Sequence, residues 1–445
     1  MASNALKPSL LRSVAKRGYA AQASTQQSSF SLPSHEPKVT ALPSGAVVAS
    51  LETNAPVSRL AILFKAGSRY EQAKNLGASH TLRACVGLGT KNKSAFNITR
   101  TVQQAGGALS CESGREHIHY GMDIIRDSVD TGLDILGEVS LHPGLKTWEL
   151  GDNLRRIKDE LATVDPSTLA IDLLHKASYR NSGLGNSLFV PNHHLGKLAP
   201  ELLGDFHAST HTASRMAIVG LGVDHGTLVS FANGLGLSSA SGASTAATVS
   251  GGEIRHETGA PVTVVAVAGP GASIGTNDAA ALAVAQHILG VGPGTKRGSA
   301  ASNILAGSVA ASGGLGSASA LNVNYSDGGL FGYFVIADSA SVGKVVSSVH
   351  SAVKGLKVSD ADVARAKNQV KAAILMATES SAAAIEDMGL QALLTGAYRT
   401  PTAAAAAVDS VTAGTVNAAL SKALGGKLSM SAVGSMASVP YLDQM

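Results

Sequence analysis

The fold of this chain is decided by residues 58 to 130, which read SRLAILFKAGSRYEQAKNLGASHTLRACVGLGTKNKSAFNITRTVQQAGGALSCESGREHIHYGMDIIRDSVD. The run RLAILFKAG near its start is short, apolar and partly β-branched, which is typical of a buried strand. A helix is predicted for residues 77 to 86. On that helix positions 80, 83 and 84 share one face because they are three and four residues apart. The sequence therefore places a candidate functional site on this face.

The helix has the outline of the inverted zinc motif H-x-x-E-H, and Glu160 follows His80 by 80 residues. In a working motif both histidines and the distant glutamate hold the metal, and the glutamate between the histidines is the general base. Here Arg83 stands at the base position and Ala84 at the second histidine position. Only His80 and Glu160 remain, as vestigial ligand positions.

Two protein ligands are too few for a catalytic zinc ion, which normally has three and a water. The fixed charge of Arg83 would also repel a dication about 5 Å away by roughly 6 kcal/mol at an effective dielectric of about 20. We therefore predict no catalytic residue, no metal site and no cofactor in this chain. We expect an ion pair between Arg83 and Glu160 in the old metal pocket. The alternative is that His80 and Glu160 are unrelated residues at a coincidental spacing.

Residues 58 to 130 resemble the N-terminal domain of the mitochondrial processing peptidase and core protein family, whose members are pitrilysin-like zinc peptidases and their noncatalytic homologues. The resemblance extends over nearly all of the chain after about residue 38. Other similar segments are ASYRNSGLGNSLFVP, GPGTKRGSAASN, NVNYSDGGLFGYF and the terminal VPYLDQM. It implies an α/β fold of the α+β type. In that fold two similar domains, each a sheet flanked by helices, close like a bowl.

Within that family the segments are most similar to the core-protein branch of respiratory complex III, the ubiquinol:cytochrome c oxidoreductase. The resemblance implies a noncatalytic structural subunit, needed for assembly and stability of the electron-transfer complex and peripheral to the inner mitochondrial membrane on its matrix side. The implied partners are core protein 1, cytochrome b, cytochrome c1 and the Rieske subunit, in a dimeric complex.

A noncatalytic substrate-binding subunit of a processing peptidase is the alternative function. The α partner of that peptidase carries a longer run of consecutive glycines for substrate presequences. Here the corresponding loop, GVGPGTKRGS at 290 to 299, has interrupted glycines, which disfavours presequence binding.

Composition limits the remaining function classes. With 44% hydrophobic residues, 445 residues can bury more than one core. No apolar run of 18 residues occurs, so we predict no transmembrane helix. The two cysteines, Cys85 and Cys111, lack metal-site spacing and are predicted to be buried thiols in a reducing compartment. Without a C-x-x-C-H motif or a cysteine set for an iron–sulfur cluster, any electron carrier belongs to partner chains.

The first 35 residues contain four basic residues and no acid, which is typical of a mitochondrial presequence. We predict a presequence over residues 1 to 19, cleaved between Tyr19 and Ala20, and an N-terminal extension over 20 to 37. A disordered tail that stays attached is the alternative. Cleavage would remove four positive charges and bring the formal net charge from +4 to zero. The basic pI of 8.9 therefore does not indicate nucleic-acid binding.

An internal duplication is indicated by motifs that recur in the same order. FKAGSR precedes GLGTKNKSAFN in the first half, and AGPGAS precedes GPGTKRGSAAS about 205 residues later. We predict an inactive peptidase-like domain over 38 to 232 and a second one over 253 to 445. Between them, residues 233 to 252 are rich in Gly, Ser and Ala and are predicted to form a flexible linker.

Several histidines were considered as metal ligands. None has a further ligand nearby in sequence, so packing or solvated roles are predicted instead. These histidines are His117 with His119, His193 with His194, His207 with His211, and His287.

Overall fold

The computed structural model describes residues 36–180, 183–240, 242, 245–292 and 303–445. The predicted presequence, its cleavage site at Tyr19 and Ala20, and most of the GPGTKRGSAASN segment lie outside the described residues.

The first half of the described chain contains six strands and seven helices. Its strands are β1 (Lys38–Ala41), β2 (Val47–Leu51), β3 (Val57–Phe64), β4 (Ala108–Ser113), β5 (Ile118–Ile125) and β6 (Met216–Leu221). Its helices are α1 (Ala78–Ala84), α2 (Ala95–Gln104), α3 (Val129–Leu141), α4 (Thr147–Ala162), α5 (Pro166–Tyr179), α6 (Pro200–Thr210) and α7 (His225–Gly234).

The second half contains five strands and seven helices within its described residues. Its strands are β7 (Gly252–Glu257), β8 (Val262–Pro270), β9 (Gly316–Asn324), β10 (Gly329–Asp338) and β11 (Ser429–Gly434). Its helices are α8 (Asn277–Leu289), α9 (Ile304–Ser312), α10 (Val342–Lys354), α11 (Asp360–Ala377), α12 (Ser381–Thr395), α13 (Pro401–Ala407) and α14 (Ala413–Leu424).

Hydrophobic residues recur with helical periodicity over 148–162, 167–179 and 360–378, which predicts three helices. The segments predicted at 148–162 and 360–378 form α4 and α11. The segment predicted at 167–179 forms α5, where the Asp165 side chain accepts hydrogen bonds from the first-turn amides and Pro166 occupies the first helical position.

The two sheets have the same strand order once β1 is set aside. The first sheet runs β1-β2-β6-β3-β5-β4 and the second β7-β11-β8-β10-β9. In each, the opening strand is parallel to the last strand of its half, as in β2 with β6 and β7 with β11. The other pairings are antiparallel. This shared topology confirms the two similar domains and supports the duplication.

One face of each sheet packs against helices of its own half. In the first half α2, α3 and α7 cover this face, and in the second half α8, α9, α10, α11 and α14 do so. Among the helices of the described residues, none has both the length and the apolar character needed to span a bilayer.

The other face of each sheet is covered by a helix from the opposite half. Leu174 and Tyr179 of α5 pack against Ala266 and Leu330 in the second sheet. In return α12 places Ile385, Met388 and Leu393 on the first sheet, against Ala61 and Leu63 among others. These two helices occupy equivalent positions in the duplicated sequence. The halves therefore exchange one helix each, which sequence analysis did not predict.

The described part of the segment between the halves is held by specific hydrogen bonds. The Thr245 carbonyl accepts a bond from Arg69, and the Ala247 amide donates to Asp327. Further along, the Ser250 amide donates to the Ser178 carbonyl at 2.7 Å. Composition predicts flexibility here, but these bonds attach the segment to both halves.

Candidate functional site

Helix α1 is positioned by a buried carboxylate at its N-terminus. Glu71 accepts hydrogen bonds from the amides of Gly77 at 2.7 Å and Ser79 at 2.8 Å, and from the Ser79 hydroxyl at 2.6 Å. Burial raises the pKa of Glu71 to about 7, although these hydrogen bonds favour its charged form. Gly77 has a φ of 87°, and a Cβ there would lie 2.5 Å from the Val190 Cα. This turn presents His80 to the interior.

The predicted ion pair between Arg83 and Glu160 is confirmed. The Arg83 Nη2 donates to Glu160 Oε1, so α1 and α4 are joined where the metal motif would join them. His80 Nε2 lies 3.4 Å from the same oxygen but does not have hydrogen-bond geometry. The structure thus brings together all three side chains.

His80 is buried, and its surroundings disfavour the protonated form of the imidazole. Burial lowers its pKa, and the neighbouring Arg83 charge lowers it further, while Glu160 acts in the opposite direction. Its Nδ1 faces the Val190 amide at 3.4 Å, and the Phe189 ring lies edge-on at 5.8 Å between centroids. The imidazole therefore packs in its neutral form.

The position of the missing second histidine is filled by apolar packing. Ala84 is fully buried and packs with Ile157 and Val190. Its carbonyl accepts hydrogen bonds from Asn153 at 2.8 Å and Arg156 at 2.5 Å. Alanine offers no ligand atom at this position, and across the described ranges no three His, Cys, Asp or Glu residues are grouped to hold a metal. The residues of this site do not fit a zinc ion.

Two protein-family models match the chain. Residues 47–192 match the insulinase family, peptidase family M16, and residues 197–370 match the peptidase M16 inactive domain. The chain belongs to the M16 peptidase family.

M16 relatives of two kinds are found. Cytochrome b-c1 complex subunit 2 of Homo sapiens is 39% identical over 419 residues, and that of Mus musculus is 38% identical over 423; in both cases 91% of each chain is covered. Probable mitochondrial-processing peptidase subunit alpha-1 of Arabidopsis thaliana is 29% identical over 434 residues, 91% of this chain and 83% of the relative.

Most histidines of these pairs are partly or fully buried, whereas His193 is exposed to solvent. His207 and His211 stack at 4.0 Å between ring centroids, and His211 Nε2 lies 3.0 Å from the Tyr120 hydroxyl. Burial lowers the pKa values of His207 and His117 to about 4, so both are neutral near pH 7. His194 bonds the Leu76 carbonyl at 3.1 Å.

The two thiols are also largely buried. Cys85 and Cys111 are free, and burial raises the pKa of both, for Cys85 to about 12. Neither thiol is therefore ionised near pH 7.

A buried polar cluster between the halves was missed by sequence analysis. Arg69 donates to Glu116 at 2.6 Å and to both carboxylate oxygens of Asp327, at 2.8 and 2.5 Å. Glu116 in turn accepts from the amide and hydroxyl of Ser326, at 2.9 and 2.5 Å. Burial opposes the charge of Arg69, but the two carboxylates outweigh burial and raise its pKa. We call Arg69, Glu116, Ser326 and Asp327 the interhalf clasp.

Sequence gave only a weak signal for the interhalf clasp. Arg69 lies in FKAGSR, one of the repeated motifs, and Asp327 lies in NVNYSDGGLFGYF, one of the segments that resemble the family. The two residues are 258 positions apart, and no periodicity connects residues at that distance.

Proposed function

We propose that this chain is a noncatalytic structural core subunit of mitochondrial respiratory complex III, needed for assembly and stability of the ubiquinol to cytochrome c electron-transfer complex. One observation carries the proposal. Identity to cytochrome b-c1 complex subunit 2 is 38–39% over 91% of both chains, whereas identity to the processing peptidase subunit alpha-1 is 29%.

The chemistry of α1 supports the same conclusion. A zinc peptidase needs a general base and three metal ligands. Here the base position holds Arg83, paired with Glu160, and the second ligand position is the packed Ala84. What remains on α1 is suited to joining helices rather than to hydrolysis.

The proposed partners are core protein 1, cytochrome b, cytochrome c1 and the Rieske subunit. We place the chain in the mitochondrion, peripheral to the inner membrane on the matrix side, after removal of residues 1 to 19. Its two inactive peptidase-like domains would span residues 38–232 and 253–445, joined by 233–252. The mitochondrial placement is supported by the b-c1 relatives, which are mitochondrial proteins.

The test is made on the native protein. Mitochondria are extracted in mild detergent and run on a native gel, and the band that contains this chain is assayed for b- and c-type heme and for zinc. The expected result is comigration with both hemes and no zinc bound by this chain. A small heme-free species, with stoichiometric zinc on a partner, would overturn the proposal in favour of the substrate-binding subunit of a processing peptidase.

A variant separates scaffold from peptidase roles within the assembly. Glu160→Gln would remove a metal ligand from a zinc peptidase, but here it only weakens a partly exposed ion pair. In cells depleted of the chain, Glu160→Gln should restore the heme-containing band as well as wild type does. Arg69→Ala, which breaks the buried interhalf clasp, should restore it poorly. Failure of Glu160→Gln alone, with normal protein levels, would contradict a scaffold role.

A further inference from the structure

The duplication places one buried tyrosine at the same position in each sheet. Tyr120 of β5 is opposite Ile62, and Tyr333 of β10 is opposite Val267, 205 residues after Ile62. Each hydroxyl meets a histidine ring, Tyr120 with His211 at 3.0 Å and Tyr333 with His350 at 2.9 Å. Because the two positions are equivalent, the first half serves as a reference for the second.

In the first half the space beside the tyrosine is filled. The His211 ring contacts Phe64 at 4.4 Å and His207 at 4.0 Å between centroids, and all three rings are held against the sheet. The cavity next to Tyr120 measures about 20 Å³, which leaves room for little more than a single water.

In the second half the aromatic ring of the equivalent strand pair lies on the other strand. Phe64 is opposite Ile118, and the residue in the equivalent place opposite Phe331 is Gly269. A Cβ on Gly269 would lie 2.0 Å from the Ala423 carbonyl oxygen, so the close approach of α14 excludes any side chain there. A cavity of about 90 Å³ remains beside Tyr333. Its lining residues are Val267, Ala268, Tyr333, His350, Val353, Lys354, Leu424 and Leu428.

The lining combines apolar side chains with two hydrogen-bond donors. His350 and Lys354 are four residues apart on α10, so they share one face of the helix. When the Tyr333 hydroxyl donates to His350 Nδ1, the imidazole proton is on Nε2 and is available to a ligand. Within the described part of the chain, the Lys354 ammonium makes no ion pair. Two donors, one of them charged, favour an anionic oxygen ligand.

The size of the cavity limits the rest of the ligand. An apolar cavity of about 150 Å³ holds benzene, so 90 Å³ accommodates a smaller body, such as a chain of about four carbons. We propose that the Tyr333 cavity binds a short-chain aliphatic monocarboxylate. Its carboxylate faces Lys354 and His350, and its alkyl chain packs among Val353, Leu424 and Leu428.

The experiment is a titration of the full chain with butyrate, followed by NMR of ¹³C-labelled valine and leucine methyl groups. The expected result is a saturable shift of the Val353, Leu424 and Leu428 methyl signals. Butanol and butylammonium, which match butyrate in size but not in charge, are expected to bind more weakly. No saturable shift with butyrate, or binding of butanol as tight as that of butyrate, would overturn the proposal.

Variants locate the binding site. Lys354→Gln is expected to weaken butyrate binding about fivefold, because one charge partner near the surface is lost. Lys357→Gln, which changes an exposed lysine outside the cavity lining, should leave binding unchanged. Leu424→Phe should fill the cavity and abolish the shifts while the chain stays folded. If Lys354→Gln and Lys357→Gln weaken binding equally, the effect is one of general surface charge and the site is wrong.

Discussion

The two halves of this chain share a strand order but differ in what their side chains do. In both sheets one parallel pair of strands lies beside a set of antiparallel pairs, and the strand order is the same. The first half has a dismantled peptidase site on α1 and a filled space beside Tyr120, whereas the second has a cavity beside Tyr333. Strand pairing depends on backbone hydrogen bonds that most residues can make. The two halves therefore keep the same topology although their sequences differ. Side-chain chemistry depends on individual residues and therefore differs between the halves.

The halves differ at one equivalent position, which is Phe64 in the first half and Gly269 in the second. Where α14 approaches the second sheet closely, only glycine fits, and the aromatic ring of the equivalent strand pair is that of Phe331 on the neighbouring strand. The close backbone of α14 thus excludes a side chain at this position of the second sheet.

The largest expected effect comes from breaking the interhalf clasp. Arg69→Ala leaves the buried Glu116 carboxylate, 4% exposed, and Asp327 without their shared cation, which should cost about 4 kcal/mol of unfolding free energy. Urea unfolding measures the loss. Arg365→Ala removes an exposed pair with Asp362 and should cost at most about 0.5 kcal/mol. Equal effects for the two variants would show that the clasp contributes no more than a surface pair.

The two exchanged helices, α5 and α12, should contribute equally to the unfolding free energy. Leu174→Ala on α5 and Met388→Ala on α12 each truncate a fully buried side chain against the other half's sheet. Each should lower the unfolding free energy by about 3 kcal/mol while the chain still unfolds in one transition. Leu375→Ala, at a 43% exposed position on α11, is the control. Two separate transitions in either variant would show that the halves fold independently.

Glu71, in the first half, should make the stability of the chain depend on pH. Because burial raises the pKa of Glu71 to about 7 from 4.5, the native state holds its proton more tightly than the unfolded chain does. The Glu71 contribution to stability is fully present below pH 4.5 and is lost as pH rises through about 7, by roughly 3 kcal/mol. Urea unfolding at pH 5 and pH 8 measures this difference.

Glu71→Gln should remove most of that pH dependence. The corresponding first helix of the second half, α8, is capped instead by the neutral Thr276 hydroxyl. Thr276→Ala should cost about 1 kcal/mol, and by the same amount at both pH values. An unchanged pH profile in Glu71→Gln would show that other groups cause the dependence.

The smallest effect is expected at the former metal site. The Arg83 and Glu160 side chains are 23% and 35% exposed, so solvent screens their attraction. A double-mutant cycle of Arg83→Ala and Glu160→Ala should give a coupling energy below about 1 kcal/mol that decreases with added salt. A coupling that is large and independent of salt would indicate a role for the pair beyond joining α1 to α4.

Much of the candidate site could be predicted because its signals are local. The spacing of His80, Arg83 and Ala84 shows which positions share a helix face, and the substituted residues show what chemistry is lost. The partner Glu160 could be identified from its spacing in the motif. Glu71 could not be recognised as a buried cap, because the neighbouring residues in the sequence do not reveal how deeply a carboxylate is buried.

The sequence by itself determined the duplicated plan of the two halves and the absence of a complete zinc motif on α1. The motif is read from residue type over a short stretch of the chain, and the duplication is read from motifs that recur in the same order. Only the tertiary structure decided that α5 and α12 exchange sheets, that Arg69 meets Asp327 across 258 residues, and that space remains beside Tyr333. Such contacts depend on how distant surfaces fit together in space, and no local pattern encodes that fit.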